Sequence, residues 1–248
     1  EFMPKSEIFN EGMQKLNSMI GLTEIKEEIK NFIMELQGRK KLESRGVYTS
    51  SKPTLHMMFT GSPGTGKTEV ARIMAKLLYG MGMIESNKCV EADRSTIVAK
   101  YIGHTEDNMK RLVKEAMGGV LFIDEAYALA NGGENDFGKE AVDVLIKAME
   151  DNRDNLVVIL AGYQTDMDEL LKMNEGFKSR IPYTFEFSDY TPKELANLIE
   201  IMLEQRMLNC KNIKDEIEAV VMKEGRSGKI SGNARWPRNV VEHIVRHY

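Results

Sequence analysis

The stretch that most narrows the possible folds of this chain is Gly61-Ser62-Pro63-Gly64-Thr65-Gly66-Lys67-Thr68. It fits the pattern GxxxxGK[ST], which carries meaning in one setting only: a buried strand before it and a helix after it. Both are present. Leu55-His56-Met57-Met58-Phe59-Thr60 is a short apolar run ending in glycine, and Val70, Ala71, Met74, Leu77 and Leu78 follow at helical spacing. In that setting the glycines let backbone N–H groups turn inward around phosphates, and the helix N-terminus adds positive potential. Ser62, Pro63, Gly64, Thr65 and Gly66 then form the cradle, Lys67 reaches the β- and γ-phosphates, and the Thr68 hydroxyl ligates Mg²⁺. A glycine turn beside a surface lysine would not explain why both fall at a strand–helix junction.

A second stretch supplies the rest of such a site. In Gly118-Gly119-Val120-Leu121-Phe122-Ile123-Asp124-Glu125-Ala126-Tyr127, four large apolar residues run into two adjacent carboxylates. An unpaired buried carboxylate is costly, so the strand end needs a cation. Beside a phosphate loop this is the Walker B arrangement, with Asp124 holding Mg²⁺ directly or through water. Glu125 points another way and is placed to take a proton from the water that attacks the γ-phosphate. The competing reading is a simple cap on the following segment. An adjacent Asp-Glu pair favours hydrolysis over transfer to a small-molecule acceptor.

The remaining pattern alternates. Leu22, Ile25, Ile29, Phe32, Ile33 and Leu36 share a helical face, Gly38 reads as a stop, and residues 39–53 read as a connection. Strands are expected near 88–92, 119–124, 156–160 and 183–187, and helices near 105–117 and 138–150. Strands alternating with helices imply an α/β fold, a parallel P-loop NTPase sheet with helices on both faces. After about Asp189 the pattern changes. Thr191-Pro192-Lys193-Glu194 is a capping box with proline at the first helical position, and further helices are expected near 214–224 and 235–247 with no strand between. Residues 1–189 are thus expected to form a large α/β subdomain, and residues 190–248 a small all-helical lid, cut short at Tyr248. Glu1-Phe2 before Met3 reads as a cloning scar.

Composition excludes several classes. A net charge of −4 without a basic block argues against nucleic-acid partners. No apolar run approaches the roughly 18 residues of a membrane span. Cys89 and Cys210 form no CxxC pair, so a reducing cytoplasm is the expected setting. His243 and His247 lie one helical turn apart but lack a third ligand nearby in sequence.

With these motifs in place the chain resembles an AAA+ ATPase over roughly Leu16–Tyr248. More narrowly it resembles the branch containing red-type Rubisco activase (CbbX/CfxQ) and stage V sporulation protein K. "IGL" at 20–22, "GSPGTGKT" at 61–68, "YIGHT" at 101–105, "AMGGVLFIDEAYAL" at 116–129, "LVVILAGY" at 156–163, "GFKSRI" at 176–181 and "GNARWPRN" at 232–239 carry the likeness. The resemblance implies that Ile20 and Gly21 line an adenine pocket. It implies that Arg180 is an arginine finger acting on a neighbouring subunit's ATP, the alternative being a surface ion pair. Arg235 would be sensor 2 on the lid, with Arg238 the next candidate. Where many AAA+ proteins place Thr-Asn, this chain has Ala161-Gly162-Tyr163-Gln164, so Tyr163, or else Gln164, would orient the attacking water.

Tyr101, Ile102 and Gly103 would form a pore loop, with Tyr101 gripping a polypeptide by apolar contact. Asn131–Asn135 is a second candidate for lining the pore. The implied function is Mg-dependent ATP hydrolysis coupled to remodelling or threading of a protein client by a ring of identical subunits, expected to be a hexamer. The alternative is a nucleotide-dependent switch or scaffold, associated with secretion or assembly, that threads nothing.

Overall fold

The computed structural model describes residues 3–47, 52–98, 104–129, 138–206, 214–226 and 232–247. The chain forms two compact units. The first comprises Glu1–Ser18, Glu24–Thr60 and Lys67–Glu186; the second comprises Met19–Thr23, Gly61–Gly66 and Phe187–Tyr248.

In the first unit, helices α1 (Lys5–Ser18) and α2 (Thr23–Ser44) precede strand β1 (Met57–Gly61) and helix α3 (Lys67–Gly80). Then come β2 (Cys89–Ala92), α4 (Arg94–Ile97), α5 (His104–Ala116), β3 (Val120–Ile123), a 3₁₀ turn (Ala126–Leu129) and α6 (Gly138–Asp151). The unit closes with β4 (Val157–Gly162), α7 (Gln164–Met173), α8 (Glu175–Arg180) and β5 (Tyr183–Phe187). The strands form one five-stranded parallel sheet in the order β2-β3-β4-β1-β5. Parallel neighbours need crossover connections, which the helices provide on both faces.

Both faces of the strands are buried, which explains the unbroken apolar runs in the sequence. Met58, Leu121, Ile123, Val158 and Leu160 join a core with Met109 and Leu112 of α5, Leu145 and Met149 of α6, and Leu170 of α7. The alternate residues, among them Met57, Phe59, Val120, Phe122 and Ile159, are equally buried and face the other way. On β5, Phe185 stands edge-on to Phe59 of β1 and Phe32 of α2, with ring centroids 5.7 and 5.9 Å apart. His56, immediately before β1, is fully buried. Its Nδ1 accepts the Val158 N–H at 3.0 Å and its Nε2 lies 2.9 Å from the Met149 carbonyl oxygen, so one ring joins β4 to the last turn of α6.

Several helices depart from the sequence reading, which places no element at α4, α7 or α8. Helix α2 does not stop at Gly38 but runs to Ser44. A glycine inside a helix costs only about 1 kcal/mol, and strong helix formers surround this one. Lys40, beyond it, also reaches the Met81 carbonyl. Helix α1 was not anticipated. It packs on α3 through a narrow stripe of Ile8, Gly12 and Leu16, with Lys76–Glu11 and Lys15–Glu69 ion pairs at its edges.

The second unit contains α9 (Pro192–Glu204), α10 (Lys214–Arg226) and α11 (Arg235–His247). The capping box read from sequence is formed. Glu194 N–H donates to Thr191 Oγ1 at 3.3 Å, and Thr191 N–H donates to Glu194 Oε2 at 2.7 Å. Leu195, Ala196, Ile199 and Leu203 bury against Val221 and Val241, with Trp236 and Ile244 packed on them. Among the described residues no helix is long and apolar enough to cross a membrane.

Candidate functional site

In the first unit, β1 and β3 flank β4, and their ends are level. Ile123 pairs with Leu160, and Thr60 pairs with Gly162, so Asp124 falls beside Ala161 and level with Phe59. Strands about 4.8 Å apart put β1 and β3 about 10 Å from one another, a span suited to phosphate and a metal ion. Asp124 is half-buried and its N–H donates to the Ala92 carbonyl at 2.9 Å. Its Oδ1 accepts the Glu125 N–H at 3.0 Å. Glu125 is exposed, with φ 49°. This left-handed backbone costs a non-glycine residue about 1–2 kcal/mol. Lys67 and Thr68 open α3, Lys67 only 8% exposed and Thr68 half-buried.

Tyr163 is 42% exposed and caps α7 without a side-chain hydrogen bond. Gln164, the alternative water-orienting residue, donates to Asp168 Oδ1 at 3.0 Å. Gly162, just before them, has no room for a side chain: a Cβ there would lie 2.8 Å from Met167 Sδ and 3.1 Å from Tyr127 Cδ1. Tyr127 received no role from sequence. Its hydroxyl pKa is raised, first by burial and then by the charges of Glu125, Asp166, Tyr163 and Asp124. That places it among the acids of the strand end. Only its position two residues after Glu125 signalled this. Arg180 ends α8. Its Nε lies 3.0 Å from Glu150 Oε2, and the guanidinium donates to the Gly176 carbonyl at 3.0 Å, so the surface ion pair of the alternative reading is present.

In the second unit lie the loop Gly61–Gly66, the segment Met19–Thr23 and helices α9, α10 and α11. Gly64 has φ 77°, and a Cβ on it would lie 2.3 Å from the Gly232 carbonyl oxygen. Thr65 is fully buried and its hydroxyl donates to the Ser62 carbonyl at 2.8 Å. Ile20 is half-buried, and Gly21 packs against Tyr190 and Glu194. Burial, with Glu194 next in effect, pushes the Tyr190 hydroxyl up to about 12. Arg235, the first residue of α11, and Arg238 are both exposed.

Asn233 is the residue of "GNAR" that sequence reasoning passed over. It is 9% exposed with φ 49°. Its Oδ1 accepts the Tyr190 N–H at 2.9 Å, and its Nδ2 donates to Asp189 Oδ1 at 3.0 Å and to the Pro63 carbonyl at 3.3 Å. Tyr101, Ile102, Gly103 and Asn131–Asn135 lie outside the described residues.

Residues 57–188 match the family described as "ATPase family associated with various cellular activities (AAA)". The chain belongs to the AAA family and is a nucleotide-binding, ATP-hydrolysing enzyme. Within that family its likenesses are to the branch expected from sequence. Stage V sporulation protein K of Bacillus subtilis is 39% identical over 98% of this chain and 76% of its own length. The chloroplastic ribulose bisphosphate carboxylase/oxygenase activase of Cyanidioschyzon merolae is 40% identical over 90% of this chain and 76% of its own length. Among solved structures, the Thermotoga maritima RuvB Holliday junction branch migration motor has TM-score 0.59 and 21% identity, covering 90% of this chain and 61% of that one. That likeness is one of fold alone.

Proposed function

We propose that this ATPase works as a ring-shaped homo-oligomer, a hexamer, in the cytoplasm, and couples Mg-dependent hydrolysis to remodelling or threading of a protein client. The observation that carries the chemical half is the geometry of Glu125, exposed and held at φ 49° directly after the half-buried Asp124 at the end of β3. Residues 1–189 act as the ATPase subdomain and 190–248 as the lid.

The residues present suit Mg–ATP. The Thr68 hydroxyl and the Asp124 carboxylate are hard oxygen donors of the kind magnesium takes, and Lys67 adds a positive charge at the head of α3. Bound Mg²⁺ supplies charge neutralisation on the β- and γ-phosphate oxygens. Ser62, Pro63, Gly64, Thr65 and Gly66 cradle the phosphates through their backbone, and Ile20 and Gly21 hold the adenine. Glu125 accepts the proton of the attacking water, and Tyr163 orients that water. Arg180, released from Glu150, serves the neighbouring subunit's site, and Arg235 senses the γ-phosphate. Tyr101, Ile102 and Gly103 grip the client.

The test is Glu125→Gln. Binding of Mg–ATP is expected to survive while turnover falls at least about a hundredfold, the scale of general-base catalysis. The trapped form is expected to sediment as a closed oligomer and to retain its client. Turnover close to wild type removes Glu125 as the base, and a monomer under saturating ATP removes the ring.

A further inference from the structure

We infer that Asn233 is a positioning residue that aims two amide donors of the phosphate loop before nucleotide arrives. This rests on the reading of Gly61–Thr68 as the phosphate cradle. In a trans peptide the C=O and N–H of one plane point in opposite directions, and the described residues contain no cis peptide. The Pro63 carbonyl shares a plane with the Gly64 N–H, and the Gly64 carbonyl shares one with the Thr65 N–H.

Both carbonyls are tied to the same short segment. Pro63 O accepts from Asn233 Nδ2 at 3.3 Å, and Gly64 O accepts from the Ala234 N–H at 3.1 Å. The Gly64 and Thr65 N–H groups are therefore turned to the opposite side of the loop, away from Gly232–Ala234. Gly64 has no space for a Cβ on the Gly232 side, so the two backbones run in contact there. Asn233 is itself fixed: its Oδ1 and both Nδ2 hydrogens are engaged, through Tyr190, Asp189 and Pro63. Its left-handed backbone suits asparagine, one of the few residues to visit that region routinely. Donors already aimed lose less freedom when an anion binds, so the clasp raises affinity without touching the ligand.

Two variants separate the side-chain bond from the backbone. Asn233→Gly keeps the conformation and loses every side-chain bond. The swap Asn233→Asp with Asp189→Asn restores the pair between the two side chains and the acceptor for Tyr190, but leaves Pro63 without its donor. Two quantities are read: amide hydrogen exchange at Ala234 in nucleotide-free protein, and the affinity for a fluorescent ADP analogue, mant-ADP. Loss of one such bond is worth about a fivefold effect, so both variants are expected to speed Ala234 exchange and weaken mant-ADP by about five- to tenfold. In the swap, exchange within α9 is expected to stay at the wild-type rate. The inference is overturned if the swap leaves Ala234 exchange unchanged, or speeds it without weakening mant-ADP. Wild-type protein that binds no mant-ADP overturns the cradle reading itself, while Ala234 exchange still decides whether the clasp exists.

Discussion

Replacing His56 by leucine tests how the first unit is held together. The ring is fully buried and uses both nitrogens. Because Nδ1 accepts from Val158, the proton sits on Nε2 and is donated to Met149. A second proton would set N–H against the Val158 N–H. Burial is the largest influence on the ring and lowers its pKa; the Met149 carbonyl opposes, Arg180 lowers it further and Glu150 raises it. The folded state therefore binds this proton less readily than the unfolded chain. Stability is fully present above the unfolded value of about 6.5 and is lost as pH falls towards the lowered folded value. One proton changes stability by at most about 1.4 kcal/mol per pH unit, and with an unfolded value of about 6.5 a drop from pH 7.5 to 5.5 removes at most about 1.4 kcal/mol. His56→Leu leaves the Val158 N–H and the Met149 carbonyl buried and unpaired, at about 1–3 kcal/mol each, or about 4 kcal/mol together. Urea titrations followed by far-UV circular dichroism at both pH values measure the gap between the two proteins. It is expected to be about 4 kcal/mol at pH 7.5 and to narrow, by up to about 1.4 kcal/mol, at pH 5.5, since leucine has no proton to bind and other groups cancel in the difference. A gap independent of pH, or a variant as stable as wild type, means that a neutral His56 does not hold β4 to α6 in this way.

Other outcomes follow from the same geometry. Mixing Arg180→Ala with Lys67→Ala chains is expected to restore part of the ATPase activity that each lacks alone; no recovery at any ratio counts against a finger acting across subunits. Gly162→Ala pushes on Tyr127 and the buried Met167 beside the acid pair, so turnover is expected to fall about tenfold or more and the urea midpoint to drop by the equivalent of about 1–3 kcal/mol. Burial, with Glu91 next in effect, pushes the Cys89 thiol up to about 12 from its ordinary 9.0. In a Cys210→Ser background, iodoacetamide at pH 8 is therefore expected to modify folded protein about a thousandfold more slowly than unfolded protein.

What sequence revealed and what it hid divides along one line, the distance over which each signal acts. The glycine-rich turn, the acid pair and the Thr191–Glu194 cap are each written within ten contiguous residues, and the parallel sheet followed from the alternation of strand and helix patterns. Helix α1 was missed because its buried stripe is a single residue wide and includes a glycine. Gly38 misled because an isolated glycine looks the same whether a helix ends or continues there. Asn233 was illegible for a stronger reason: the carbonyl it holds, on Pro63, lies 170 residues away. Tyr127 stood inside a quoted motif, but its neighbours Tyr163 and Asp166 come from the end of another strand and the helix after it.

Among the described residues, left-handed backbone at a residue with a side chain occurs at Leu22, Glu125 and Asn233. Glycine would relieve the strain of the first two, by about 1 kcal/mol each. A laboratory selection for heat resistance that ignored turnover would therefore be drawn to position 125. The sturdier protein it recovered there would have lost the carboxylate proposed above as the proton acceptor along with the strain.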